Sequence, residues 1–339
     1  MSAVHRCRLS TKRARRRLIN TAAPSTLPCQ SDNNTGAPTT EPSPMVNTTA
    51  APSTEPCQPN AQDGAIDADA VAETEPKQEL WVDSPRLYAC DRQELEDTSS
   101  CLSDRILNAA QTLLRRQFPS AGGLKDTLLL GAGDDVVQPG DKFVQCVHDA
   151  VKEHWITVSS LGCVSDEVKV YCSAHLTPSP QCIKTISLYY RTSLKQLTLR
   201  VMNVSKQQGG VDCGLFAIAY ATTLLNGMDP VNVVFTQARM RQHVIAALEA
   251  GTLSEFPVSC RRTVRRMSVR AIPVPVYCVC KAAYVRGDRM VACDSCGNWF
   301  HCGCVDLSST LFAAMARNKS ENYECQKCAS DKQAAVVKL

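Results

Sequence analysis

Cysteine and histidine residues toward one end of the sequence occur in pairs with the spacing of zinc ligands. The four pairs are Cys278 and Cys280, Cys293 and Cys296, His301 and Cys304, and Cys325 and Cys328. Tetrahedral zinc takes four thiolate or imidazole ligands, so these eight side chains satisfy two zinc ions. The segment is too short to build a sizeable apolar core, and metal would therefore supply much of its folding free energy. The alternative, a cluster of free thiols, does not account for this spacing.

This pattern resembles the PHD finger, a family with cross-braced zinc sites. The resemblance implies that Cys278, Cys280, His301 and Cys304 bind one ion. It likewise implies that Cys293, Cys296, Cys325 and Cys328 bind the other. Cys302 falls outside the pattern and has no ligand role.

Four further side chains match positions at which some PHD fingers bind trimethyl-lysine near the N-terminus of histone H3. They are Tyr277, Tyr284, Met290 and Trp299. A quaternary ammonium is attracted to aromatic ring faces once it is desolvated. The resemblance implies that the histone tail adds a strand along residues 289–292, with Asp288 or Asp294 pairing with a histone arginine. The alternative is that the four side chains are core residues of a small domain.

A second group of residues that could carry out catalysis includes the stretch "QQGGVDCGLFA" at residues 207–217. Cys213 begins an apolar segment that we predict to be a helix, and a helix N-terminus lowers the pKa of a thiol. His154 starts a predicted strand and is a candidate base, whereas Gln207 is a candidate donor to an oxyanion. The alternative is that Cys213 is one buried thiol among the 19 cysteines of the chain.

The pair at 154–155 and the element QxxGxDCG at 207–214 resemble the Ulp family of SUMO-specific cysteine proteases. The resemblance covers residues 91–258 and implies a papain-like α+β fold that acts on ubiquitin-like conjugates. It implies that Cys213 attacks the substrate and that His154 is the general base. It also implies that the Gln207 amide and the Cys213 backbone N–H form the oxyanion hole.

Two positions depart from the Ulp pattern. Cys172 stands where the third member of the triad, an Asp, is expected, and a neutral thiol cannot stabilise an imidazolium as a carboxylate does. Cys101 replaces a tryptophan that helps to clamp the Gly-Gly tail of the substrate, which leaves Trp155 for that role. Asp166 and Asp212 are the other candidates to orient His154. The domain is therefore either a weakened peptidase or a protease-like domain retained for binding.

Hydrophobic periodicity predicts the elements that position these residues. We expect helices near 103–117, 213–225 and 236–250, and strands at 142–148, 154–160, 166–172 and 197–204. Four regions follow: a disordered region at 1–90, the protease-like domain at 91–258, a basic linker at 259–275 and the zinc finger at 276–331. The first region is rich in Pro and Thr and contains a repeat, TAAPSTLPCQ at 21–30 and TAAPSTEPCQ at 49–58.

Charge and composition indicate which partners and which cellular compartment to expect. The net charge of +4 does not by itself indicate a nucleic-acid-binding protein, although the Arg-rich linker favours a weak nucleic-acid contact. No apolar run of about 18 residues occurs, so we expect no membrane partner. Many cysteines without a secretory signal favour a reducing compartment. The run KRARRR at 12–17 predicts the nucleus, with a solvated tail or a mitochondrial transit peptide as alternatives.

Overall fold

The structure is a computed structural model, and it describes residues 79–130, 136–261, 269–317 and 322–336. The predicted repeat and the basic run at 12–17 lie outside the described residues, as do residues 262–268 of the predicted linker. None of the described helices has the length and apolar character that crossing a membrane requires.

The described part of the chain contains both helices and strands, in mixed order. The strands are β1 (Leu80–Val82), β2 (Leu87–Tyr88), β3 (Gly122–Gly123), β4 (Phe143–Asp149), β5 (His154–Ser159), β6 (Glu167–Tyr171), β7 (Gln196–Val201), β8 (Val233–Phe235), β9 (Val258–Arg261), β10 (Arg270–Pro275), β11 (Met290–Ala292) and β12 (Trp299–His301). The helices are α1 (Ala89–Glu96), α2 (Asp104–Gln117), α3 (Pro180–Tyr189), α4 (Cys213–Leu225), α5 (Met240–Ala250), α6 (Ser309–Arg317) and α7 (Gln326–Val336).

Six strands form the main sheet in the order β10-β7-β6-β5-β4-β3. Strand β5 pairs antiparallel with both β4 and β6, whereas β6 and β7 are parallel. All six residues of β5 are buried because apolar clusters cover both faces of the sheet. The cluster on one face includes residues of α2, α4 and α5, and the cluster on the other face includes residues of α3.

Helix α4 is the most deeply buried helix of this domain. Its residues are buried from Cys213 to Leu224, which is the pattern of a helix enclosed on all sides. The Thr157 hydroxyl of β5 donates to the carbonyl oxygen of Ala217 at 2.7 Å and fixes the helix against the sheet. A Cβ added at Gly214 would lie 2.9 Å from the Cβ of Leu102, so glycine permits this close approach.

The α+β class is confirmed, and each predicted helix and strand of the larger domain overlaps an observed one. The structure adds α1, α3 and the short strands β1, β2, β3, β8 and β9, which the sequence pattern did not predict. It also places Arg270–Pro275, within the predicted linker, as edge strand β10 paired with β7. Pro273 and Pro275 cannot donate to a strand ladder, so they are compatible with an edge strand and mask it in the sequence.

The smaller domain contains the antiparallel pair β11 and β12, and its own small cluster of buried residues. It contacts the larger domain along α3. The Lys184 ammonium lies 2.8 Å from a carboxylate oxygen of Asp288, and the Ala283 N–H donates to the Ser187 hydroxyl at 2.8 Å. Ala283 is buried in the apolar cluster of the larger domain, so the contact is apolar as well as polar.

Candidate functional site

The eight predicted zinc ligands form two separate clusters. Within each cluster, the potential ligand atoms all lie within 4.8 Å of one another. The first cluster is Cys278, Cys280, His301 and Cys304, and the second is Cys293, Cys296, Cys325 and Cys328. The cross-braced assignment implied by the sequence is therefore the one that the fold brings together.

The geometry of the first cluster fits a zinc ion bound through Nδ1 of His301. Nδ1 lies 3.3 Å from the Sγ of Cys280, close to the separation of about 3.6 Å that tetrahedral Zn–N and Zn–S bonds produce. The other ring nitrogen, Nε2, is buried and lies 3.5 Å from Oδ2 of Asp288. A carboxylate beside the non-ligating nitrogen is the usual support of a zinc-bound histidine.

One thiol of the first cluster, that of Cys278, has thiolate character, whereas the pKa of its partner Cys280 is raised. A hydrogen bond with Cys280 lowers the pKa of Cys278 to about 3, so the two thiols share a proton that a metal ion would displace. In the second cluster, the Sγ atoms of Cys296 and Cys325 are 3.9 Å apart. Tetrahedral Zn–S bonds give about 3.8 Å. Each cluster can bind one zinc ion, which would cross-link segments that the small core alone cannot hold.

Strands β11 and β12 arrange the predicted methyl-lysine site. Ala292 pairs with Trp299 and Met290 pairs with His301, so the side chains of Met290 and Trp299 lie on the same face of the ribbon. Tyr284 and Trp299 are half-buried and pack against the small cluster to which Met290 belongs. The carbonyl oxygen of Tyr277 accepts a hydrogen bond from the Asn298 side chain at 2.7 Å, which places Tyr277 beside β12.

One edge of this ribbon is available for another strand. Within the described residues β11 pairs with β12 alone, and it covers most of the segment 289–292 predicted to receive a peptide. Asp288 is engaged by Lys184, and the Asp294 carboxylate accepts from the Tyr323 N–H at 2.8 Å. Both acidic candidates for a histone arginine thus have partners within the chain.

The thiol of Cys213 lies at the N-terminus of α4, as the sequence predicts. Burial nevertheless raises the pKa of Cys213, although the backbone N–H groups of Trp155 and Gly214 oppose this effect. The expectation of a lowered pKa is therefore wrong for this state, because the side chain is 0% exposed within an apolar cluster. The contact with the N–H of Trp155 places the thiol next to the start of β5, where His154 lies.

His154 and Cys172 are in direct contact. Nε2 of His154 lies 3.3 Å from the Sγ of Cys172, which also accepts from the Leu176 N–H at 3.2 Å. Burial lowers the pKa of His154, while Asp149 acts in the opposite direction. Cys172 thus occupies the place beside the imidazole that the sequence comparison assigned to it, but burial raises the pKa of its thiol.

The other predicted residues of the thiol site have well-defined partners. Gln207 accepts from the Ser173 hydroxyl and donates from Nε2 to the Gly209 carbonyl oxygen at 3.1 Å. Trp155 is buried, and its Nε1 donates to the Leu102 carbonyl oxygen at 2.8 Å. Strand β5 is therefore bonded to the segment that contains Leu102 through Trp155, and to α4 through Thr157.

Neither of the alternative carboxylates is directed at His154. Asp212 forms a salt bridge with Arg241 at 2.8 Å, and Asp166 accepts hydrogen bonds from Thr192 and Ser193. Asp149 is the acidic residue near His154 that sequence reasoning missed. Its signal is its place directly after the predicted strand 142–148, just before the turn that leads to His154.

Comparisons with known proteins match each domain separately. Residues 278–328 match the family model of the PHD-finger. The chromatin remodeling proteins SHL and EBS of Arabidopsis thaliana are 35% identical over 60 residues and 38% identical over 58 residues. These matches cover 18% and 17% of this chain, and only about a quarter of either relative, 24% and 23%.

Solved structures similar to this chain include the yeast Ulp1 protease domain in complex with Smt3, the yeast ortholog of SUMO. That structure has a TM-score of 0.40 and 14% identity, and the match covers 54% of this chain and 91% of that chain. A Ulp1 structure with its catalytic cysteine oxidised to a sulfinic acid has a TM-score of 0.41 at 13% identity, covering 53% and 91%. The chain therefore contains a PHD finger, and its structural neighbours are Ulp1 protease domains.

Proposed function

We propose that this protein is a chromatin-associated reader whose PHD finger binds methyl-lysine on the N-terminal tail of histone H3. The observation that carries this proposal is the shared face of Met290 and Trp299 beside the open edge of β11. A peptide strand added at that edge would bring a lysine side chain over the face, where the rings of Trp299 and Tyr284 attract a quaternary ammonium. Tyr277, beside β12, would complete the site.

The two Arabidopsis relatives support a chromatin setting, since both are named chromatin remodeling proteins. A histone partner implies the nucleus, which agrees with the basic run at 12–17 of the sequence. The finger would bring the larger domain to chromatin, because the two domains are joined along α3 by the Lys184–Asp288 contact.

Peptide binding to the zinc-loaded full chain tests the reader proposal. Trimethylated H3 peptides should bind more tightly than the unmodified peptide in calorimetry. Trp299→Ala should weaken the trimethylated complex by about 1–2 kcal/mol, the scale of a desolvated cation–π contact. Trp81→Ala is the matched control, because Trp81 is bonded to Glu249 in the larger domain. Equal affinity for methylated and unmodified peptides would refute the proposal.

A second function, cysteine peptidase activity on ubiquitin-like conjugates, is favoured by the surroundings of Cys213. The backbone N–H of Trp155 reaches its thiol, and His154 is the preceding residue of β5. We propose that His154 takes the thiol proton as the sulfur attacks the carbonyl carbon of a Gly-Gly tail. His154 then gives that proton to the leaving amine as the C–N bond breaks, and water hydrolyses the thioester to release the free carboxylate and the Cys213 thiol. The alternative is that the domain lacks activity and serves only as a binding module.

Without substrate, the favoured forms at this site are the protonated thiol of Cys213 and the uncharged imidazole of His154. Burial raises the pKa of Cys213 and lowers the pKa of His154, so both effects disfavour the thiolate–imidazolium form. Substrate would have to supply interactions that favour charge separation. Gln207 would contribute to the oxyanion hole by turning its Nε2 from the Gly209 carbonyl toward the substrate oxygen.

Hydrolysis of a ubiquitin-like protein that carries a C-terminal fluorogenic amide tests the peptidase proposal. Activity should be slow, and both Cys213→Ala and His154→Ala should abolish it. Cys260→Ser is the control, because Cys260 is an exposed thiol that has no assigned role in the reaction. Activity that persists in Cys213→Ala, or no activity with any ubiquitin-like protein, would contradict this assignment.

A further inference from the structure

We propose that Asp149, at the end of β4, is the carboxylate that positions His154. Asp149 would supply the negative charge that Cys172, on the other side of His154, does not carry. This inference rests on the proposed peptidase function for its role in the reaction. Asp149 would stabilise the imidazolium that forms when the proton of the Cys213 thiol moves to His154. Cys172 would hold the ring through Nε2, at the observed distance of 3.3 Å.

The strand register places Asp149 beside His154. The two residues are directly opposite each other in the antiparallel pair β4 and β5, so their side chains share one face of the sheet. The preceding pair, Val147 and Ile156, lies in the apolar cluster that also contains Cys172. Asp149, at the end of β4, and Cys172, directly after β6, therefore flank His154 from its two sides.

The hydrogen bonds of Asp149 leave one carboxylate oxygen for this role. Oδ2 accepts from the Ser179 N–H at 2.7 Å, at the start of α3. Oδ1 is buried and has no hydrogen-bond partner in the part of the chain that the structure describes. A buried oxygen of this kind is costly, and a protonated imidazole on the same face would relieve that cost.

Burial strengthens the effect of this charge. Asp149 is 2% exposed and His154 is 5% exposed, so little water screens the two groups from each other. Lys152 and His148 act on His154 in the opposite direction, and Cys172 faces it as a thiol whose pKa is raised by burial. Among the charged groups that act on His154, Asp149 alone favours the imidazolium.

NMR titration of His154 tests the coupling without any substrate. In a Cys213→Ala background, Asp149→Asn should weaken proton binding to His154 about tenfold, because removal of the carboxylate destabilises the imidazolium. The amide oxygen of Asn can still accept from Ser179, so α3 should remain capped. Asp166→Asn is the matched control, since Asp166 is another buried Asp in the sheet but bonds to Thr192 and Ser193. It should leave the His154 titration unchanged.

The reaction provides the second measurement. Asp149→Asn should lower kcat about tenfold and shift the pH profile of kcat, which loss of packing alone would not do. An unchanged His154 titration together with active Cys213 would overturn the role of Asp149 and leave the peptidase proposal intact. A His154 titration that shifts as expected, in a protein with no hydrolytic activity, would support the coupling and refute the peptidase proposal.

Discussion

The zinc finger and the thiol site use the same side chains, cysteine and histidine, in opposite ways. In the finger, a hydrogen bond with Cys280 lowers the pKa of Cys278, and each set of ligands lies within 4.8 Å. In the larger domain, burial raises the pKa of Cys213, and an apolar core holds the site in place. The difference shows that residue type alone does not determine the chemistry, since the finger gathers its thiols into two ligand sets whereas the larger domain encloses Cys213 among apolar side chains.

Removal of zinc should produce the largest contrast between the two regions. A strong chelator, or Cys325→Ser, should unfold the finger, because structural zinc contributes about 10–16 kcal/mol in zinc-finger peptides. The larger domain should keep its cooperative thermal transition. Elemental analysis should give two zinc ions per chain before treatment, and Cys302→Ser should retain both. A folded finger with well under two zinc ions per chain would contradict this prediction.

Loss of the Arg241 guanidinium should be the next largest effect, and it should be confined to the larger domain. Arg241 is largely buried, pairs with Asp212 at 2.8 Å and donates to the carbonyl oxygen of Ser100. Arg241→Met should lower the free energy of unfolding by about 3–5 kcal/mol, because it leaves the largely buried carboxylate of Asp212 without a cationic partner and only the Gln237 side chain as a donor. Urea denaturation measures this change. Arg92→Met, which breaks an exposed pair with Glu249, should change stability little.

A carboxylate at residue 172 should raise the peptidase activity of the larger domain. Cys172→Asp places an acceptor beside Nε2 of His154, so peptidase activity should rise about tenfold, or about 1.4 kcal/mol of barrier. The gain should appear mainly in kcat and vanish in the Cys213→Ala background. Unchanged activity in a protein whose Cys213 still reacts would contradict this prediction and would mean that a carboxylate at residue 172 adds nothing to the charge of Asp149.

Breaking the contact between the domains should have the smallest effect. Lys184 and Asp288 are both about four-fifths buried, with side-chain exposures of 22% and 19%. Lys184→Met should destabilise the contact by roughly 1 kcal/mol, a small effect because the Val285 N–H still donates to the Asp288 carboxylate. Faster hydrogen exchange in α3 would report it. Lys332→Met, which removes a pair within the finger, should leave α3 unchanged.

Local patterns made the finger the more predictable region. Its ligands lie in short pairs, so the spacing alone identified all eight, and the structure gathers them as expected. The helix at Cys213 was equally readable from its apolar run. Strand β10 could not be predicted from the sequence, because it contains two prolines, which are unusual in strands. The position of Asp149 beside His154 could not be predicted either, because only the register of β4 and β5 brings the two residues together. The raised pKa of Cys213 depends on packing from distant segments, which no local pattern encodes.

The central claim is that one thiol, Cys213, is available for nucleophilic chemistry while the thiols of the finger are reserved for metal. Labelling of the zinc-loaded full chain with a ubiquitin-like vinyl sulfone, followed by mass mapping of every cysteine, tests it most directly. We predict a single adduct at Cys213 that disappears in His154→Ala. Adducts at the zinc ligands or at exposed thiols such as Cys101, or no adduct at Cys213, would contradict the claim.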